Sequence, residues 1–518
     1  MRSRRIDLGA AVVLVVAACT DLPNEPSART APPPTGAARA ALQGGNGKTS
    51  LELVEDDYAG GALDKQNANI YREAALSDPS KLPAKYRSAV IGKDATYSLV
   101  QMARDWSSLS KSTQDQILDL RAKGLGDLSQ TVETPHFVLH YTTTGNHAVP
   151  ALDANRNGIP DFIDVAAQSW EVVWQREVVQ LGYPAPLGTP AQKFHAYYKD
   201  LSTYYGATYS TNVTLQATSP VPLGTASGYI VVENDFAEGF PPNDVDVTGL
   251  EPVRRGALEV TQAHEFMHAI QFNINVYQSG WLMESHATWA EDAVYDDVND
   301  WHWYIDRFLA TPDLPLFSRF LYGAAFFQNW LSETYGVDIQ RRVWLAARTN
   351  TMADAIRLTA FGGSFDPLKT FAAAEYTLGI SDFTADAPSV VPLPKKVVTT
   401  THDAFPVSVT IGPSTKKEPN DAPWAFGGAN FIEFVPAGSG TLTLTFDGAD
   451  GFAWRALVVA TPKNGGSPTT YTVALNGSSA GSIAITGFGT KWAKVTLVPS
   501  IVGTDGAAVP YSYGAAVN

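Results

Sequence analysis

An α+β domain, preceded by a helical N-terminal region and followed by a C-terminal β-sandwich, is the architecture this sequence predicts. Three observations carry it. Residues 50–130 favour helix; strand-like runs at 135–141, 194–198 and 229–233 precede a helix-dominated stretch at 258–349; and beyond residue 395 short alternating runs are separated by glycine and proline turns. At 518 residues the chain is too long for one hydrophobic core. A net charge of -15, with no stripe of Lys and Arg, argues against a nucleic-acid partner, whose phosphates need a basic footprint.

At the N-terminus, arginines precede an apolar run at residues 8–18 that is too short for a permanent membrane span, the charge order of a secretion signal. Cys19, the only cysteine, follows Ala17 and Ala18, and Val16-Ala17-Ala18-Cys19 looks like a lipobox. The expectation is export with lipidation at Cys19 and anchoring through lipid alone, at the periplasmic or cell surface; an ordinary signal peptide is the alternative. Either way no cysteine remains for a disulfide or a thiolate metal site. Residues 19–49, rich in Pro, Ala, Gly and Ser, form a disordered tether. Residues 50–130, with one helix expected over 95–121, are an accessory helical layer or a prosegment.

Residues 131–394 hold the chemistry. Its strands lead to a helix expected over 258–272, in which His264-Glu265-Phe266-Met267-His268 places two imidazoles one turn apart on one face. Glu265 lies beside them and can reach a metal-bound water. A four-coordinate catalytic zinc needs a third protein ligand and an open position, and Glu284, on a second helix beginning near Trp281, is the first carboxylate able to return to the site. Metal-bound histidines usually donate their second ring N–H to an acceptor, which makes Glu291 and Thr288, on the Glu284 face, candidates to orient them. Gln271 can do the same or lie on the helix surface. His286 should point elsewhere, toward a substrate cleft at most. Tyr322, expected to open a third helix, is the leading oxyanion partner, with Tyr304 and His302 as rivals. Loops between residues 205 and 257 are expected to set subsite preference.

Trp281-Leu282-Met283-Glu284-Ser285-His286-Ala287 is similar to the Trp-Leu-Asn-Glu-Gly-Phe-Ala run that supplies the third ligand in aminopeptidase-like gluzincins. Residues 258–297 resemble the gluzincin clan of zinc metallopeptidases, most of all a family of secreted bacterial metalloproteases known mainly from myxobacteria. The resemblance implies a zincin-like domain with His264, His268 and Glu284 as zinc ligands and Glu265 as general base. Met283 stands where the aminopeptidase pattern has asparagine, and no Gly-Ala-Met-Glu-Asn run precedes the helix, so an endopeptidase is expected rather than an aminopeptidase.

Asp153, Asn155, Asn157, Asp161 and Asp164 place oxygen-bearing side chains at positions 1, 3, 5, 9 and 12 of a loop. The Ile159 carbonyl falls at position 7 and Gly158 at the sharp turn, a spacing suited to a structural calcium ion. Asp164 replaces the longer glutamate of paired calcium loops, so a solitary site is expected, followed by a helix over 162–180.

The function expected from the sequence is therefore a lipid-anchored zinc endopeptidase acting on peptides or proteins. A noncatalytic surface binding protein of the same shape, and an aminopeptidase or cell-wall amidase, are the alternatives.

Overall fold

The computed structural model describes residues 47–189, 191–216, 221–236, 255–381, 383, 393–400, 407–411, 427–503 and 509–518. All of them fall in the second of two units, Pro33–Asn518. The signal, Cys19 and the tether up to residue 46 lie outside the described residues. The fold is mixed α/β, with helices on a six-stranded sheet and a C-terminal β region.

Four helices open it: α1 (Ser50–Ala59), α2 (Lys65–Ser77), α3 (Thr96–Asp105) and α4 (Lys111–Leu125). Local capping sets their starts. Thr49 and Glu52 form a reciprocal capping box on α1, and the Asp64 and Ser110 side chains accept from backbone N–H groups of α2 and α4. The Ser110 cap begins a second helix where one continuous helix over 95–121 was expected. Leu51, Val54, Leu76, Leu99 and Met102 then bury against Tyr204, Ala207, Tyr209 and Val231 of the sheet. Each such aliphatic side chain is worth roughly 1.5–3 kcal/mol on burial, which ties this layer to the rest of the molecule.

The sheet has the order β1-β5-β6-β4-β3-β2, from β1 (Gly92–Asp94), β2 (Gln130–Glu133), β3 (Phe137–Tyr141), β4 (Phe194–Tyr198), β5 (Tyr204–Gln216) and β6 (Leu223–Val232). β3, β4 and β6 run parallel, β2 pairs antiparallel with β3 and β5 with β6, and β1 adds to β5 in parallel as an outer strand. β5 and the first part of β6 occupy much of the stretch expected to be subsite loops, while the end of β6 is the strand expected over 229–233. Their small, hydroxylated and tyrosine-rich residues lack the aliphatic alternation that marks a strand in sequence, and only neighbouring layers make them a core.

α5 (Asp161–Trp174) ends in a π-helical turn, Gln175–Gln180, and packs Trp170 on Phe137 at 4.9 Å between ring centres. α6 (Arg255–Asn275) runs between the sheet and α7 (Gly280–Val294), with residues 256–272 buried on every side. α8 (Ile305–Leu309), α9 (Ala325–Tyr335), α10 (Asp338–Ala347), α11 (Met352–Thr359) and α12 (Leu368–Thr377) complete this part. No described helix is long and apolar enough to cross a membrane.

The C-terminal strands are β7 (Lys396–Thr400), β8 (Val407–Ile411), β9 (Ile432–Pro436), β10 (Gly440–Gly448), β11 (Trp454–Pro462), β12 (Thr469–Thr472), β13 (Ala480–Phe488), β14 (Trp492–Ile501) and β15 (Val509–Val517). β13 and β14 meet through the single pair Phe488↔Trp492, so the ladder divides into β12-β11-β14-β9-β7 and β13-β10-β15-β8. Phe434, Phe446, Trp454, Trp492 and Tyr513 fill one core between them. Phe431, Leu457 and Val498 pack on Ala372 and Tyr376 of α12, which joins this region to the helices.

Candidate metal centre

His264 and His268 lie on the side of α6 that meets α7, one helical turn apart, and their Nε2 atoms stand 3.0 Å from each other. α7 crosses this helix and brings Glu284 Oε2 to 3.3 Å from His264 Nε2 and 3.6 Å from His268 Nε2. From the N-terminal region, Asp94 at the end of β1 places Oδ2 3.7 Å from His268 Nε2. Potential ligand atoms of these four residues all lie within 4.8 Å of one another, and all four residues are buried.

The surrounding hydrogen bonds fix what these atoms can do. His264 Nδ1 lies 2.6 Å from Glu291 Oε1, and His268 Nδ1 lies 2.8 Å from Gln271 Oε1. Gln271 Nε2 donates to the Met283 carbonyl, so its amide oxygen is the end that faces His268. With each Nδ1–H donated, both Nε2 atoms present lone pairs. Neither oxygen of Glu284 accepts a hydrogen bond of normal geometry. Two imine nitrogens and carboxyl oxygens converging in a buried space favour a positive charge among them. The residues present thus fit a cation held by nitrogen and oxygen.

Without an ion that charge is a proton. Burial opposes it on both rings, yet Glu284 and Asp94 hold His268 up to about 9, while burial drives His264 down to about 3 despite Glu284. Behind His264, burial raises Glu291 to about 7 against the pull of Lys93, whose Nζ lies 2.8 Å from Glu291 Oε2 and also pairs with Asp300.

Glu265 points toward β5. Its Oε2 accepts from Thr208 Oγ1 at 2.7 Å and lies 3.0 Å from Thr96 Oγ1. β5 must approach closely here, since a Cβ on Gly206 would fall 2.7 Å from Glu265 Oε1. Burial, followed by Asp94, pushes the Glu265 carboxyl well above the usual range.

The remaining candidates separate. Thr288 Oγ1 donates to the Glu284 carbonyl at 2.8 Å, so it bonds back within α7 and orients no histidine, the ordinary habit of a helical threonine. Tyr322 lies in the turn before α9, not inside a helix, with its ring 6.2 Å from that of His264. Burial, then Glu284 and Asp94, raise its hydroxyl pKa, so it keeps its proton and remains a donor. Tyr304 has Lys93 at 5.1 Å from its ring and lies 5.4 Å from the Tyr322 ring, and His302 packs on Trp301 and Phe383. His286 sits 2.7 Å from the Tyr183 hydroxyl and 3.3 Å from Gln271 Nε2, inside the protein.

Sequence reasoning missed Asp94, Lys93 and Asp300. Asp94 carries no spacing signal, because it reaches the histidines only through the pairing of β1 with β5.

In the loop at 153–164, Asp153 accepts from the backbone N–H groups of Asn157 and Gly158, and Asp164 from the Asn155 and Asn157 side-chain amides. Asp161 accepts from Ala154 N and opens α5. The loop is closed on itself, and its three carboxylates do not form a converging group of the kind seen at the histidines among the described residues.

Residues 247–372, which span the histidine helix, α7 and Tyr322, match a family model described as a family of unknown function (DUF6055). No curated protein matches the chain. Among solved structures, the chain is similar to the pre-peptidase C-terminal domain of collagenase from Bacillus anthracis, with 8% identity over 24% of this chain and 99% of that one. The TM-score of 0.17 is too low to support a statement about fold.

Proposed function

We propose that this protein is a zinc-dependent endopeptidase with a zincin-like domain, in which His264, His268 and Glu284 hold the ion and Glu265 is the general base. The observation that carries this reading is the pair of Nε2 lone pairs, 3.0 Å apart and backed by Glu291 and Gln271, facing Glu284 in a buried space. Bound zinc would supply Lewis acidity toward water and the scissile carbonyl. Glu265 takes the proton of the attacking water and returns it to the leaving amine, a role that suits a carboxyl one residue from His264 on α6. Tyr322, kept protonated, donates to the developing oxyanion. Export with lipid anchoring at Cys19, and a calcium ion in the 153–164 loop that stabilises the exported fold, belong to the same reading.

The four-donor set also favours a second reading, a noncatalytic binding protein whose closed metal site is structural, since such sites leave no position for water. The test is zinc content, with hydrolysis of N-terminally blocked peptides, for the wild type and Glu265→Gln. An endopeptidase binds zinc in both forms, and the variant loses about 10²–10⁴-fold in rate, the span of general acid–base catalysis. Equal rates in the two proteins would sink the assignment of Glu265; cleavage of unblocked peptides alone would favour an aminopeptidase; zinc without any cleavage would favour the binding protein.

A further inference from the structure

Three consecutive interactions tie the N-terminal region to the metal centre. Lys93 pairs with Glu291, which holds His264; Asp94 joins the ligand set; and Thr96 Oγ1 donates to Asp94 Oδ1 at 2.6 Å and lies 3.0 Å from Glu265 Oε2. The segment is positioned by a short ladder, Gly92↔Tyr204 and Asp94↔Gly206, at the outer edge of the sheet. Just beyond it, Tyr97 of α3 lies against the start of α7, where a Cβ on Gly280 would come 2.5 Å from the Tyr97 ring.

This arrangement conflicts with turnover. A hydrolytic metal keeps one position open, whereas His264, His268, Glu284 and Asp94 make four. The side chains of His264, His268 and Glu284 are at most 2% exposed, and Glu265 is fully buried. Glu265 Oε2 lies 3.0 Å from Thr96 Oγ1 on one side and 2.7 Å from Thr208 Oγ1 of β5 on the other.

We propose that Asp94 is a fourth, displaceable metal ligand and that residues 92–96, β1 with the turn into α3, form a built-in latch holding the centre closed in the resting protein. This rests on the metal-centre reading above. Asp94 is suited to leave because its strand is short and paired on one side only, so withdrawing it breaks no central ladder. Its departure uncovers two things together: the fourth position on the metal, and the edge of β5 at Tyr204–Gly206. That edge runs past Gly206, the residue in closest approach to Glu265, and its unpaired backbone groups can accept an extended peptide as an added strand. The latch thus occupies the place of its own substrate. A ligand competing with it binds more weakly by the fraction of molecules that are open.

The experiment uses the full chain loaded with Co²⁺, whose visible spectrum reports its ligands, titrated with acetohydroxamate as a small metal-binding probe. Asp94→Ala and Asp94→Asn are compared with the wild type; the asparagine keeps the size of the side chain and an oxygen that can still accept from Thr96. The expected result is one Co²⁺ per chain in all three, with hydroxamate binding at least about tenfold tighter in the variants. Equal hydroxamate affinity in wild type and variants would overturn the latch, and so would loss of Co²⁺ from both variants, which would make Asp94 a permanent structural ligand. A wild type that takes up no Co²⁺ is a different failure, that of the metal centre itself.

Discussion

Among single residues, Glu291 shows how much of a candidate metal site lies outside the converging groups. It fixes the tautomer of His264 through a 2.6 Å contact and is itself held by Lys93. Glu291→Ala should weaken metal binding about 10–100-fold, the usual cost of losing such a partner. Glu291→Gln, which can still accept from His264 Nδ1, should recover most of that loss. Competition with a chromogenic chelator measures both, and an alanine variant with wild-type affinity would show that the contact does not orient His264. Glu284 could be named from spacing because helix geometry returns it to the two histidines. Thr288 could not be assigned that way: sharing a face with Glu284 says nothing about whether a hydroxyl reaches outward or bonds back to its own helix.

For the elements, α6 and α7 were legible because helical periodicity and the histidine spacing agree, whereas β1 and β5 were not. β1 has three residues, too few for a pattern, and β5 reads as polar although one face supports α6 and the other the N-terminal helices. The C-terminal strands were visible from alternation, but their attachment was not. Glu433 on β9 makes that attachment, accepting from Tyr376 of α12 at 2.7 Å, Lys494 of β14 at 2.9 Å and Lys395 at 3.1 Å. Burial alone would raise its pKa, yet these donors outweigh it and hold the carboxyl down to about 2. A depressed carboxyl contributes stability that is fully present above its unfolded value, about 4.3, and is lost as pH falls through the folded value. Glu433→Gln should therefore cost about 1–2 kcal/mol at neutral pH, allowing for solvent screening, and the deficit should shrink toward zero near pH 2. Urea unfolding of both proteins across that range measures it, and a deficit independent of pH would refute the linkage.

On the scale of the whole molecule, helical and β regions are joined by a buried cation. Arg319 donates to Glu375 of α12 at 2.5 Å, to the carbonyls of Pro312 and Leu314, and to the Gly427 carbonyl at 3.0 Å where the chain enters the C-terminal strands. Both charged side chains are fully buried. Arg319→Met should cost about 3–5 kcal/mol, because it strands the Glu375 carboxylate, and adding Glu375→Leu should restore part of the loss. Chemical denaturation measures both; a single variant as stable as the wild type would show that the pair does not hold the two regions together.

The sequence by itself determined the residues His264, Glu265, His268 and Glu284 and the succession of helical, mixed and β-rich regions, because each is written in spacings shorter than one secondary-structure element. Only the tertiary structure decided that Asp94 completes the set, that Lys93 and Gln271 steady it, and that the N-terminal region closes over it. Those contacts join segments far apart in the chain, and no local period records which edge a short strand will pair with or which buried charge it will meet there.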